Sequence, residues 1–182
     1  MSETADRYRT VAAGFTSRVA GVGPGQWSSP TPCPDWTVRD LIAHVVGVQR
    51  AVMARLDDTE PVAVDPDGDL PAQWSEASEA VGEALGDDAR ASKVVGGMFG
   101  EQSFESLVGR MVCADLLVHS WDLARATDQD ETLDPGAVAK AAEFLAPLDE
   151  AIRAPGGFAA KIEPPAGADD QTRLLNFCGR SA

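Results

Sequence analysis

The sequence predicts an all-α fold, an up-down four-helix bundle with an extra short helix and an irregular C-terminal tail. Apolar residues recur at three- and four-residue spacing in several segments, which is typical of amphipathic helices. Loops of medium length that contain glycine and proline separate these segments. The 182 residues are enough to build one hydrophobic core, so we expect a single domain over residues 1–182.

The first two helices are separated by a rigid loop. The apolar spacing predicts a helix over about residues 4–19, and glycines end it. Residues 27–36 contain three prolines, which exclude helix and favour an extended path. Thr37 and Asp40 then form the pattern of a capping box, which predicts a second helix to about residue 56.

Three further helices follow in the sequence pattern. They are predicted at about residues 71–85, 103–127 and 135–152, the last with proline in its first turn. Residues 86–102, which include the glycine-rich stretch 94–100, are predicted to be irregular with a short extended piece. After residue 155 the alternation of proline, glycine and aspartate predicts an irregular tail.

The charge balance excludes several classes of partner. Fifteen lysines and arginines against 29 aspartates and glutamates give a formal charge of −14, which would repel nucleic acid and anionic membranes. The N-terminus is polar and acidic, and no apolar run is long enough to span a bilayer. Three scattered cysteines, an odd count, favour free thiols. We therefore expect a cytoplasmic protein, and the sequence leaves open whether it is a homodimer.

The chain contains only two histidines, and they carry the strongest functional signal. His44 and His119 each lie mid-helix on an apolar background, and Asp115 precedes His119 by four residues, on the same helix face. Two imidazoles and one carboxylate would form a three-ligand metal site with open positions, as in catalytic zinc sites. The alternative from spacing alone is two unrelated buried histidines, each hydrogen-bonded to a backbone carbonyl.

Three segments resemble a known family. Residues 30–45, PTPCPDWTVRDLIAHV, resemble the hallmark of the actinobacterial branch of the DinB-like superfamily, which includes the N-terminal domain of mycothiol-dependent maleylpyruvate isomerases. A second match is ADLLVHSWDLARA at residues 114–126. A weaker third match is RLL at residues 173–175 followed by GR at 179–180. The resemblance covers essentially the whole chain in the right order.

The resemblance implies a four-helix bundle that holds a divalent metal near one end. Its ligands here would be His44, Asp115 and His119, and the metal would be zinc, with nickel, iron or manganese as alternatives. The isomerase branch has glutamate at the second position. Asp115 is one methylene shorter, so the metal would have to lie closer to that helix.

The activity implied by the resemblance is the activation of a low-molecular-weight thiol, such as mycothiol, for S-transfer or isomerisation. The expected partner is therefore a small-molecule thiol or electrophile. The isomerases carry an additional C-terminal domain for which this sequence leaves no room, so we do not expect maleylpyruvate isomerisation itself. Two alternatives stay open: a non-catalytic metal- or ligand-binding bundle, and a purely structural bundle.

Side chains near the ligand motifs are further candidates. Cys33 precedes a helix N-terminus, which suits a reactive thiol, although a small buried residue between prolines is the favoured interpretation. Asp122 is either a carboxylate that orients an imidazole or an exposed acid. Cys113, two residues from Asp115, is expected to face away from the metal and pack.

Aromatic and basic residues complete the candidates. Trp36 and Trp121 are predicted to be core or pocket-wall side chains. Arg110 and Arg180 are candidates for binding the carboxylate of a thiol cofactor, with solvated arginines as the default interpretation on such an acidic surface. No motif supports a role for Cys178.

Overall fold

The fold is all-α, as the sequence predicted, in a computed structural model that describes residues 2–96, 100–153 and 157–182. The helices in chain order are α1 (Glu3–Ala20), α2 (Val38–Asp57), α3 (Leu70–Gly86), α4 (Asp88–Ser92), α5 (Phe104–Leu107), α6 (Cys113–Ala126), α7 (Pro135–Leu145) and α8 (Asp170–Phe177). Helix α1 packs on α3 and α6, and α2 packs on the same two helices. These four helices therefore surround a common core, to which α7 and α8 add buried residues from the side of α6.

The core is built from the apolar faces that the spacing predicted, together with a few satisfied polar groups. The rings of Phe15 and Trp74 meet edge to face with centroids 4.8 Å apart. The Trp74 indole N–H donates to Thr16 at 2.9 Å, and the Tyr8 hydroxyl donates to the buried Gln49 carbonyl oxygen at 2.8 Å. The Trp74 and Tyr8 donors thus each have a partner, which limits the cost of burying them.

The proline-rich loop before α2 forms a tight turn. Pro30 and Thr37 make an isolated antiparallel bridge, and the Trp36 amide donates to the Cys33 carbonyl at 3.2 Å. Asp35 adopts a left-handed conformation with φ of 65°, which aspartate tolerates better than most residues. The predicted capping box at Thr37 is confirmed, and it fixes where the loop ends and α2 begins.

The helix predicted over residues 103–127 is confirmed with one interruption. A π-helical segment, Val108–Val112, connects α5 to α6. Gly109 lies in this segment against α1, where its carbonyl accepts a hydrogen bond from Arg7 and a Cβ atom would come within 2.8 Å of Thr4. Because a π turn holds more residues than an α turn, the segment shifts the register of the α6 residues that follow it.

Two predictions for the C-terminal third of the chain are wrong. The helix predicted over 135–152 ends at Leu145, because Pro147 lacks an amide hydrogen and the chain continues as short 3-10 turns. The tail predicted to be irregular contains α8. The Asp169 carboxylate caps this helix, and Leu174 and Leu175 are buried.

The region between α3 and α5 contains a short helix and a small two-stranded sheet. Val94–Val95 forms a two-residue strand, β1, which pairs antiparallel with β2 at Gln102–Ser103. The extended prediction is therefore confirmed at these two valines, and residues 97–99 lie outside the described part of the chain. The short helix α4 was not predicted. Within the described residues, no helix combines the length and apolar character needed to cross a bilayer.

A glycine just after α8 is predicted to be indispensable to the tail. Gly179 has φ of +78°, and a Cβ there would lie 2.8 Å from the Ala159 Cβ. We expect Gly179→Ala to lower the free energy of unfolding by roughly 1–3 kcal/mol, measured by urea denaturation. Gly86→Ala is the control, since a Cβ at Gly86 meets no atom of the described residues within 4 Å. Equal stability of the two variants would contradict this prediction.

The same turn gives a prediction for alkaline pH. Burial raises the pKa of Cys178 from 9.0 to about 12. Above pH 9 the unfolded thiol loses its proton while the folded thiol keeps it, so the free energy of unfolding should fall as pH rises, by up to about 1.4 kcal/mol per unit. Urea unfolding between about pH 8 and 10.5 should show a shallower decline for Cys178→Ala than for wild type. Identical pH slopes would refute this assignment.

Candidate metal centre

The structure brings the three predicted ligands together between two helices. Helix α2 supplies His44, and α6 supplies Asp115 and His119 one turn apart. The Asp115 Oδ1 atom lies 3.6 Å from His44 Nε2 and 3.4 Å from His119 Nε2. The two imidazole rings have centroids 5.0 Å apart and lie nearly perpendicular, at 74°. Both imidazoles thus direct Nε2 toward one carboxylate.

These spacings suit a metal ion better than hydrogen bonds. Hydrogen bonds to oxygen typically have nitrogen–oxygen distances of about 2.7–3.2 Å, shorter than both contacts to Asp115. Around a tetrahedral zinc with bonds of about 2.0–2.2 Å, neighbouring ligand atoms lie roughly 3.3–3.6 Å apart. The distances from Asp115 to His44 and His119 fall in that range.

Asp115 carries a buried oxygen atom with unused hydrogen-bonding capacity. Among the described residues, its Oδ2 has no hydrogen-bond partner. Burial alone would raise the pKa of Asp115, but the neighbouring His119 and His44 hold it well below its usual range. The group is therefore an ionised carboxylate with unused acceptor capacity, which a cation could satisfy.

The site is closed around one histidine and open beside the other. The side chains of His44, Asp115 and His119 are 34%, 23% and 6% exposed. Trp36, delivered by the proline-rich loop, lies against both imidazoles, with ring centroids 4.7 Å from His44 and 5.8 Å from His119. Trp36 thus forms a wall of the site, as predicted, while the exposed edge of His44 leaves access from solvent.

The second nitrogen of His119 contacts another carboxylate. Nδ1 lies 3.0 Å from Oδ2 of Asp122, which is completely buried. Burial would raise the pKa of Asp122, but hydrogen bonds from His119 and Arg180 hold it below its ordinary value. An ionised carboxylate only accepts hydrogen bonds, so Nδ1 carries the hydrogen and the Nε2 lone pair is free to bind a metal in the neutral imidazole.

Without a metal, the two carboxylates act together on His119. Burial would lower the pKa of the imidazole, but Asp115 and Asp122 on either side raise it well above its usual value. In the metal-free protein His119 therefore tends to hold both protons. A cation bound at Nε2 would take the place of one of them.

A second group of possible ligands is already neutralised. Cys33 Sγ, His119 Nδ1 and Asp122 lie close together behind the first site. The Arg180 guanidinium contacts this group, with Nη2 at 2.7 Å from Asp122 Oδ2 and 3.2 Å from Cys33 Sγ. A guanidinium therefore already supplies positive charge at this second group.

The remaining sequence predictions have mixed outcomes. Cys33 is buried, which confirms the favoured interpretation, and Asp122 is the carboxylate beside an imidazole rather than an exposed acid. Cys113 and Trp121 are core residues, as expected. Cys178 is also buried.

The predictions for the two arginines also differ in outcome. The default interpretation of Arg180 as solvated is wrong, and its guanidinium is paired with Asp122 instead of being free for a cofactor carboxylate. Arg110 is exposed, with its guanidinium over the Phe144 ring at 5.6 Å.

The role of Arg180 was missed from the sequence. Its only signal there was the closing Gly179-Arg180 pair, noted as the weakest of the three matching segments. The hydrogen bond between Arg180 and Asp122 joins residues 58 positions apart in the sequence, and no periodicity predicts such a contact.

The chain is similar to known proteins over most of its length. Residues 8–124 match the family described as the mycothiol maleylpyruvate isomerase N-terminal domain. Uncharacterised proteins from two strains of Mycobacterium tuberculosis are 35% identical over 170 residues, which is 92% of this chain and 92% of theirs. No solved structure gives a significant match. The chain therefore belongs to the mycothiol maleylpyruvate isomerase N-terminal domain family.

Proposed function

We propose that this protein binds one divalent metal ion, zinc in the first instance, through His44, Asp115 and His119 and uses it in the chemistry of a small thiol. The single observation that carries the proposal is the ligand set itself. Asp115 Oδ1 lies at metal-ligand spacing from an imidazole nitrogen on each of two helices, and the other Asp115 oxygen, Oδ2, is buried without a partner among the described residues.

The donor set supports zinc as the metal. Two imidazole nitrogens and one carboxylate are the protein ligands of several catalytic zinc sites, which leave a further position open for water or substrate. Nickel, iron and manganese also accept these donors. The choice among them depends on metal supply as well as on the site.

The proposed reaction is S-transfer or isomerisation that depends on a low-molecular-weight thiol such as mycothiol. A divalent cation at this position supplies positive charge that lowers the pKa of a bound thiol and so favours the nucleophilic thiolate. Asp122 keeps His119 in the orientation that presents Nε2, and the Trp36 ring covers one side of the imidazoles. The family's printed name, which refers to mycothiol, supports this class of thiol. The three unpaired buried cysteines support a reducing, cytoplasmic location.

A second candidate function is metal binding without catalysis. The acids, thiols and imidazoles that cluster at this end of the described chain are the three ligands together with Cys33 and Asp122. The last two are buried behind His119 and paired with Arg180, so they are not placed to exchange a proton with a substrate. A protein of this kind would hold the metal and show no turnover.

Metal content is the first test of the proposed ligands. We expect wild-type protein to hold about one equivalent of zinc after reconstitution, and His44→Ala and Asp115→Asn to hold less than about a tenth, because each removes one of only three protein ligands. Mass spectrometry of the dialysed proteins measures this. Asp57→Asn is the control for the charge change, since Asp57 lies at the end of α2 and pairs with Arg90. A wild-type protein without metal would refute the proposal.

Turnover separates the two candidate functions. Zinc-loaded wild type, mixed with mycothiol and an electrophile such as monochlorobimane, should form the S-conjugate faster than the uncatalysed reaction. The His44→Ala variant should show only the uncatalysed rate, because it lacks the cation that favours the thiolate. Conjugate formation followed by fluorescence measures both rates. Full zinc occupancy with no acceleration for any thiol tested would favour the non-catalytic alternative.

A further inference from the structure

The C-terminal segment reaches the metal centre through one buried side chain. Arg180 is 6% exposed and pairs with both oxygens of Asp122, Nε to Oδ1 at 3.0 Å and Nη2 to Oδ2 at 2.7 Å. Its third nitrogen, Nη1, donates to the Cys178 carbonyl at 2.9 Å. This two-point pairing fixes the plane of the carboxylate as well as its charge.

The backbone around Arg180 is itself held firmly. The Arg180 amide donates to the Leu175 carbonyl at 2.8 Å, and the Arg180 carbonyl accepts from the Asn176 side chain at 2.7 Å. Gly179, in its left-handed conformation, turns the chain from α8 back toward α6. The guanidinium is thus presented by a rigid turn, which lowers the entropy cost of holding it in place.

Asp122 passes this constraint to His119. Its Oδ2 receives the Arg180 hydrogen bond and lies 3.0 Å from His119 Nδ1. The Cys33 thiol contacts the same oxygen at 3.3 Å and so closes the remaining side. These contacts fix the position of the Asp122 carboxylate, and in that position it accepts the hydrogen of His119 Nδ1.

We infer that Arg180 is a positioning residue of the metal centre, which acts through Asp122 to hold His119 with Nε2 directed at the metal position. The inference rests on the proposed function, and it goes beyond the family match, which ends at residue 124. It connects the C-terminal segment to the metal site through Arg180, which is not itself a proposed ligand.

A purely structural role for Arg180 predicts something different. A buried ion pair also joins the tail to α6, so its loss would lower stability whatever the fate of the metal. The positioning role and the structural role can be distinguished by comparing the zinc affinities of two variants that lose about the same stability. Leu174→Ala provides that comparison, because Leu174 is a buried residue of α8 that belongs to neither group of possible ligands.

The experiment measures the zinc dissociation constant by competition with a chromophoric chelator, together with the melting temperature of each metal-free protein. We expect Arg180→Met to weaken zinc binding about 10- to 100-fold, the usual cost of losing a residue that orients a ligand. Arg180→Lys, which keeps the charge but not the paired geometry, should recover part of the affinity. Arg173→Met, an exposed arginine of α8, and Leu174→Ala should bind zinc like wild type even where the latter melts earlier.

A second readout follows the His119 ring itself. In zinc-loaded wild type, the ¹⁵N-labelled Nδ1–H should give a signal protected from solvent exchange, and Arg180→Met should lose that protection. If Arg180→Met fails to fold because Asp122 is left unpaired, the Arg180→Met/Asp122→Asn double variant removes the buried charge, and its zinc affinity should still fall below that of wild type.

The outcomes separate the inference from the proposed function. Wild type without zinc affinity overturns the proposed function and this inference with it. Wild type that binds zinc, with Arg180→Met or the double variant equal to Leu174→Ala in affinity and with Nδ1–H still protected, overturns the inference alone and leaves the proposed ligands standing.

Discussion

The structure depends on one imidazole held between two carboxylates. His119 directs Nε2 toward Asp115 and Nδ1 toward Asp122, and it is almost completely buried. A histidine so placed has both its orientation and its tautomer fixed, which is what a metal ligand requires. The proline-rich loop, α2, α6 and the C-terminal segment all supply a side chain that contacts this ring or its carboxylates. The site is therefore assembled from parts of the chain that are far apart in sequence.

Charge pairing explains how the site can hold two carboxylates inside a small helical bundle. Two buried or half-buried carboxylates in a protein of formal charge −14 would be costly if they were unpaired. Arg180 neutralises the inner one, Asp122, at hydrogen-bonding distance. The outer one, Asp115, keeps an oxygen without a partner among the described residues. This difference is why the proposed metal position lies beside Asp115 and not beside Asp122.

Features that depend on residues close together in the sequence could be predicted, and features that depend on contacts between distant segments could not. Helical spacing and the capping box at Thr37 predicted the main helices, because both depend on residues within one or two turns. The proposed ligands His44, Asp115 and His119 were identified from scarcity, spacing and resemblance, and the structure brings them together. The π segment before α6 and the Arg180–Asp122 pair could not be predicted, since both depend on packing between distant segments. The tail was predicted irregular because an eight-residue helix leaves only two turns of pattern.

Anomalous diffraction at the zinc absorption edge, from crystals of the reconstituted wild-type protein, tests the central claim most directly. The account predicts one peak about 2.0–2.2 Å from His44 Nε2, from an Asp115 oxygen and from His119 Nε2, with Nδ1 of His119 still on Asp122. A peak within the Cys33, His119 and Asp122 group, with Arg180 displaced, would contradict the assignment of the metal position. A crystal without any peak at full zinc supply would contradict the existence of the site.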